Sequence, residues 1–206
     1  MPRISISGSH STGKSTIINA LKEIPELSKR FTFKGEILRD IKRMGININE
    51  YGSDETQLLV MSKFLEYATI PNTILDRCSL DGLVYTTYLY EKNQVKKSTL
   101  RVAEAIFENV KYDIYFYIAP EFNIIPDGVR SENAEFRDRV AELFEEYMES
   151  YRLKAIRLTG NVEQRVTQFT DTLTAYDKWI QAEIKEKTDF VESLKAKVSE
   201  TIINVK

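Results

Sequence analysis

The chain holds one cysteine, Cys78, so no disulfide can close within it, and such usage fits a reducing compartment. One histidine, His10, and one tryptophan, Trp179, complete the list of scarce residues. No apolar stretch is long enough to cross a bilayer, and the first residues carry no apolar signal region. The expectation is a cytoplasmic protein with no membrane contact. Charge of one sign is lacking as well: the net charge is −2, so no global basic field draws in nucleic acid or an anionic surface. There is no internal repeat and no low-complexity segment. What remains is ordinary for a soluble globular chain, 42% hydrophobic and 29% charged over 206 residues, enough for one α/β domain with a full core.

Two of the eight glycines fall in Gly8-Ser9-His10-Ser11-Thr12-Gly13-Lys14-Ser15, followed by Thr16. The spacing G-x-x-x-x-G-K-[ST] is a phosphate cradle. Gly8 and Gly13 let the backbone curl so that successive N–H groups converge on an anion. A helix beginning near Lys14 adds its positive end. Lys14 would reach the β- and γ-phosphates, and the Ser15 hydroxyl would hold Mg²⁺. An alternating strand, Arg3–Ser7, precedes the loop, and a helical pattern (Ile17, Ile18, Leu21) follows it. His10 lies where backbone groups do the binding, and it reads as a tolerated loop residue.

Strand and helix signals alternate along the chain, the pattern of a parallel sheet covered on both faces. Candidate strands are Arg3–Ser7, Arg30–Lys34, Asn72–Asp76, Tyr112–Ile118 and Ala155–Leu158. Ser53-Asp54-Glu55 supplies a cap and an acidic first turn for a helix through Tyr67. The chain after Asn161 reads as helical almost to its end. Thr174–Lys206 has no glycine or proline and is rich in charge. The expected division is a domain over 1–173, with a lid at about 119–137, and a helical extension over 174–206.

A GTP switch needs an N-K-x-D base-reading loop and a D-x-x-G turn after a strand; neither occurs. A motor ATPase usually ends a strand in paired acids, whereas Asn72–Leu75 ends in Asp76-Arg77. Asp76 can hold a Mg²⁺ shell or accept a proton from an attacking hydroxyl. Arg77 can clamp an acceptor. Arg130, with Arg137 behind it, lies in the charged stretch Ile124–Val140, where an arginine can neutralise a moving phosphoryl group. Glu36 follows the second strand and would look toward the acceptor, unless it pairs locally with Arg39. Phe64/Tyr67 and Tyr85/Tyr88 are helical pairs that suit either the cleft or the core. Tyr112, Tyr115 and Tyr117 read as packing. Cys78 reads as a small buried residue, with no neighbouring histidine to activate it.

Together, Gly8–Thr16, Glu36/Arg39, Asp76-Arg77 and Pro126–Ser131 ("PDGVRS") resemble P-loop kinases related to the ribosylnicotinamide kinase domain of NAD-biosynthesis regulators. Thymidylate and deoxynucleoside kinases share the loop, the Asp-Arg pair and an arginine-bearing lid. The order of Phe136–Tyr151, Ala155–Leu158 and Leu158–Val166 is similar too, so the resemblance spans roughly Arg3 to Leu173. It implies a doubly wound, mostly parallel five-stranded sheet of the P-loop NTPase fold. It also implies ATP as donor, Mg²⁺ as cofactor and a nucleoside-like acceptor. By position Lys14, Arg130, Glu36, Asp76 and Arg77 become catalytic candidates, and Ser15 and Asp76 metal candidates. Residues Gly8 to Thr16 would bind the donor, and Arg165, in the turn after the last strand, would pack its adenine. Those kinases tend to place an aromatic residue before the lid's Asp-Gly, where this chain reads Asn123-Ile124-Ile125-Pro126.

The expected activity is transfer of a γ-phosphoryl group from ATP to a nucleoside or nucleoside monophosphate. Two alternatives stay open. One is a kinase acting on a polynucleotide or on hydroxymethylated bases in DNA, for which Lys92–Arg101 is a local basic patch. The other is a non-catalytic ATP-binding regulatory module acting through the helical tail. Oligomeric state is left open.

Overall fold

The computed structural model describes residues 2–35, 37–121 and 133–204, with side chains to residue 194. Five strands form one sheet: β1 (Arg3–Ser7), β2 (Thr32–Lys34), β3 (Thr73–Asp76), β4 (Ile114–Tyr117) and β5 (Ala155–Arg157), in the order β2-β3-β1-β4-β5. Every pairing is parallel. The chain leaves the central β1, fills one side of it, then crosses to the other, which is the doubly wound topology. Such strands are enclosed on both faces, and their sequence shows it. Ile4, Ile6, Ile74, Leu75, Ile114, Tyr115, Phe116 and Tyr117 are all buried.

Helices α1 (Lys14–Lys22), α2 (Pro25–Arg30), α3 (Ile37–Arg43), α4 (Asp54–Ala68), α5 (Ser79–Glu91), α6 (Lys97–Asn109) and α7 (Ala134–Ser150) connect and flank the strands. The second strand begins at Thr32, not Arg30, because Pro25 starts a short helix with Leu27 buried and Arg30 as its last residue. Ser53 caps α4 as expected, accepting the Thr56 N–H at 3.4 Å, with Asp54 and Glu55 in the first turn. Helix α5 is buried along most of its length, Ser79 to Tyr85 without a break. It follows β3 directly, so its N-terminus stands at the carboxyl end of the sheet. Tyr115 and Tyr117 pack in β4, and Tyr112, just before it, sets its ring edge-on to Tyr115 at 5.5 Å.

Helix α8 (Val162–Asn204) runs unbroken through residue 174, and the chain from Glu163 onward forms a compact unit of its own. No described helix is long and apolar enough to cross a membrane.

Candidate functional site

The register fixes where the loop after β1 meets the end of β3. Ile6 lies beside Asp76, and the Arg77 N–H donates to the Ile6 carbonyl at 3.0 Å. Gly8 turns the chain away from the sheet at φ +146°, where an added Cβ would stand 2.3 Å from the Ile118 carbonyl oxygen. Gly13 takes φ +88° as the cap of α1, so the helix starts at Lys14 with its N–H groups turned to the loop. Lys14 is 4% exposed. Its ammonium donates to Gly8 O at 2.8 Å, to Ser9 O and to Thr12 Oγ1 at 3.1 Å. Thr12 Oγ1 in turn donates to Ser9 O at 3.1 Å. The loop is thus ordered around its own lysine. His10 is buried, with its ring stacked on Phe136 of α7. Thr16 is exposed on α1.

Across the loop opens a cleft bounded by the phosphate loop, the end of β3 and helices α3, α4 and α5. One wall carries His10, Ser11, Thr12, Lys14 and Ser15. Asp76, Arg77 and Asp81 form the floor. The far wall carries Ile37, Leu38, Ile48, Val60, Phe64 and Tyr85, with Arg39, Asn49 and Gln57 as polar points. Of the aromatic pairs, Phe64 and Tyr85 face the cleft, while Tyr67 and Tyr88 do not line it.

The floor is built from close backbone approaches. An added Cβ on Gly35 would lie 2.7 Å from Asp76 Cβ, so β2 reaches the aspartate only because residue 35 has no side chain. Asp76 Oδ1 is buried with no hydrogen-bond partner among the described residues. Arg77 adopts φ +77°, a left-handed conformation that a non-glycine residue holds at a cost of ~1–3 kcal/mol. Its guanidinium lies over the Tyr85 ring at 4.9 Å and donates to Asp81 Oδ1 at 3.2 Å. Burial pulls its pKa down, but Tyr85, Asp81 and Asp76 outweigh that and the net shift is upward, so it stays charged. Desolvation raises the Asp81 pKa, against the opposing pull of Arg77 and Lys14. Burial likewise pushes the Cys78 thiol up to about 12, with Ser7 Oγ 3.3 Å from its sulfur. Cys78 is packing, not a nucleophile.

The structure therefore gathers Lys14, Ser15, Asp76 and Arg77 around one cleft. Arg165 does not sit in a turn; it stands on the first turn of α8, in the second unit. Arg137, on α7, is 3.1 Å from Asp138 and also lies off the cleft. Glu36 and Arg130 lie outside the described residues, as does most of the expected lid. Asp81, Gln57 and Asn49 were not singled out from sequence. The one signal for Asp81 was its place three residues after Cys78, the spacing of a capping box, which it makes with the Cys78 N–H at 3.0 Å.

A glycine-cornered loop between a central parallel strand and a helix, in a doubly wound parallel sheet, is the P-loop α/β fold. The chain belongs to a family described as AAA domain, whose model matches residues 3–165. Among solved structures it is similar to deoxyadenosine kinase from M. mycoides with products dCMP and a flexible dCDP bound. There identity is 16%, covering 84% of this chain and 98% of that one, with a TM-score of 0.62. It is also similar to NadR protein in complex with NAD and AMP-PNP, at 18% identity over 84% of this chain and 48% of that one, TM-score 0.61. The NadR complex with NR matches at 20% identity over 77% and 45%, TM-score 0.59. A search of curated protein sequences returns no match.

Proposed function

We propose that the chain is an ATP-dependent phosphotransferase whose acceptor is a nucleoside or nucleoside monophosphate. The observation that carries this reading is the meeting of the Lys14 loop with Asp76 and Arg77 across a cleft whose far wall is apolar and aromatic. A phosphate cradle on one side and apolar, aromatic lining on the other suit a donor and an acceptor held end to end. The bound ligands named for the similar structures, dCMP and dCDP in one and NAD with AMP-PNP in another, fit the same reading.

Lys14 would leave its loop acceptors for the β- and γ-phosphates, and Arg77, with Arg130 from the lid, would face the charge that spreads over the moving group. Asp76 or Glu36 would accept the proton of the attacking hydroxyl. Mg²⁺ suits the residues present: Asp76 offers a buried oxygen with no partner among the described residues, and Ser15 offers a hydroxyl in the same cleft. The described residues form no cluster of three acids, cysteines or histidines, which matches an ion that takes one carboxylate plus substrate phosphates. When bound, the ion would neutralise phosphate charge.

A small acceptor is preferred over DNA. Lys92, Lys96, Lys97 and Arg101 are exposed, but none lines the cleft, and Lys96 already stands 3.7 Å from Asp54. The kinase unit is taken as 1–173, with 174–206 as its helical extension.

The test is transfer of labelled γ-phosphate from ATP to ribosylnicotinamide, the common nucleosides, their monophosphates, and DNA with and without hydroxymethylated bases. Label on a small acceptor supports the reading. Label only on DNA, fading steeply with salt, replaces it with the polymer reading. No label anywhere removes kinase chemistry.

A further inference from the structure

Asp81 is a carboxylate in an expensive place. Its side chain is 2% exposed, one turn into α5, and a lone charge at such depth is costly unless it is paired and hydrogen-bonded. Both of its oxygens are used. Oδ2 accepts the Cys78 N–H at 3.0 Å and closes the helix cap. Oδ1 accepts from Arg77 Nη1 at 3.2 Å. A cap needs only the first of these contacts. The second falls on a residue that needs holding, because Arg77 leaves β3 in the left-handed region at φ +77°. Two further contacts meet the same guanidinium: the Tyr85 ring at 4.9 Å and the Gly8 carbonyl, 3.5 Å from Nη1. The arginine is thereby clamped between α5 and the first glycine of the phosphate loop.

We propose that Asp81 is the positioning residue for Arg77, fixing its guanidinium beside the phosphate loop in the one orientation that meets the transferred phosphoryl group. The inference rests on the reading of Arg77 as a transfer residue. It adds that the aim of Arg77 is set from the first turn of α5 and not by Arg77 itself. The carboxylate is the right chemistry for this, because a planar fork with fixed donors is oriented by a fixed anion.

The test separates the clamp from the cap. In Asp81→Asn the amide oxygen can still take the Cys78 N–H, but its NH₂ then faces the Arg77 donor, and the guanidinium is released. The expected result is a fall in kcat of about 10- to 100-fold, with the KM for ATP changed less than about threefold. Asp81→Ser keeps a short acceptor for the cap but cannot reach Arg77; it carries the same expectation if the Asn variant does not fold. Asp81→Glu restores the charge and should recover most of the lost kcat. In an Arg77→Ala background, Asp81→Asn should cost almost nothing more, since residues acting as one unit are not additive. Full additivity overturns the inference. So does a variant series in which Tm, ATP affinity and kcat fall together without recovery by Glu, which is the signature of a cap alone. A wild-type chain inactive on every acceptor overturns the kinase reading and this inference with it. An active wild type with additive variants overturns the inference alone.

Discussion

His10 of the phosphate loop lies flat on Phe136 of α7, with ring centroids 5.1 Å apart and planes 22° from parallel. Phe136 in turn meets Tyr88 at 4.7 Å and Tyr85 at 5.8 Å, both edge-on. A loop position that the phosphate motif leaves unspecified is therefore part of the core. It ties the cradle to the first turn of α7, whose Asn133 cap accepts the Phe136 N–H at 3.1 Å. Through Tyr85 the same cluster reaches the ring on which Arg77 lies.

Phe136 is fully buried, so Phe136→Ala should lower unfolding free energy by ~3–5 kcal/mol. Because His10 loses its stacking partner, the KM for ATP should rise as well. Denaturant unfolding and ATP titration check the two effects together. Phe136→Leu should cost less than the alanine variant, since it keeps more of the volume. Stability equal to wild type in Phe136→Ala would deny the cluster any structural role.

Gly8→Ala and Gly35→Ala test two close approaches. The first sets a methyl 2.3 Å from a backbone oxygen in a left-handed conformation, with no flexible group to yield. It should abolish binding of a non-hydrolysable ATP analogue in calorimetry. The second sets one 2.7 Å from Asp76 Cβ and displaces the aspartate. Gly35→Ala should therefore lower turnover more than it lowers nucleotide binding. Equal loss of both would mean that the edge strand, not Asp76, had moved.

The sheet was legible because parallel strands enclosed on both faces read as short apolar runs between helices, and the loop because its glycines and lysine keep the G-x-x-x-x-G-K-[ST] spacing. Strand ends were less legible: Arg30 joined a helix because Pro25 starts one just before it. The far wall was legible only in part. Phe64 and Tyr85 could be named as aromatic pairs, but which partner faces the cleft depends on how α4 and α5 rotate against the sheet. Asn49, Gln57 and Asp81 come together only through long-range packing, so no local pattern announces them. The stacking of His10 on Phe136 was not legible for the same reason, since the two rings are brought together only by long-range packing.

Cys78 should resist alkylation. Its thiol is buried and its pKa is pushed up to about 12, so the native state holds almost no thiolate at pH 8. Iodoacetamide should label the unfolded chain and spare the folded one. The linkage has a definite sign: the folded thiol keeps its proton above the unfolded pKa of 9.0, so this contribution is complete below pH 9.0 and is lost as pH rises toward 12. Denaturant unfolding at pH 8 and pH 10 should show the decline. Rapid labelling of the native protein would place the thiol at the surface.

Lys14→Ala is the most direct trial of the phosphate loop. The ammonium sits among Gly8 O, Ser9 O and Thr12 Oγ1, so its loss strips donors from acceptors that are themselves buried. Ser9 O keeps the Thr12 hydroxyl and Gly8 O keeps Arg77, so the cost in stability should stay within ~1–3 kcal/mol. The larger effect should fall on transfer: losing one preorganised charge at the developing transition state typically costs about 10²- to 10³-fold in kcat. Lys14→Arg should not restore it. The guanidinium is a planar fork, and the pocket, with the residue 4% exposed, is shaped for a compact ammonium. Thermal unfolding beside single-turnover rates distinguishes a collapsed loop from a lost charge. An alanine variant that folds and turns over like wild type would mean that Lys14 does not take part in the transfer.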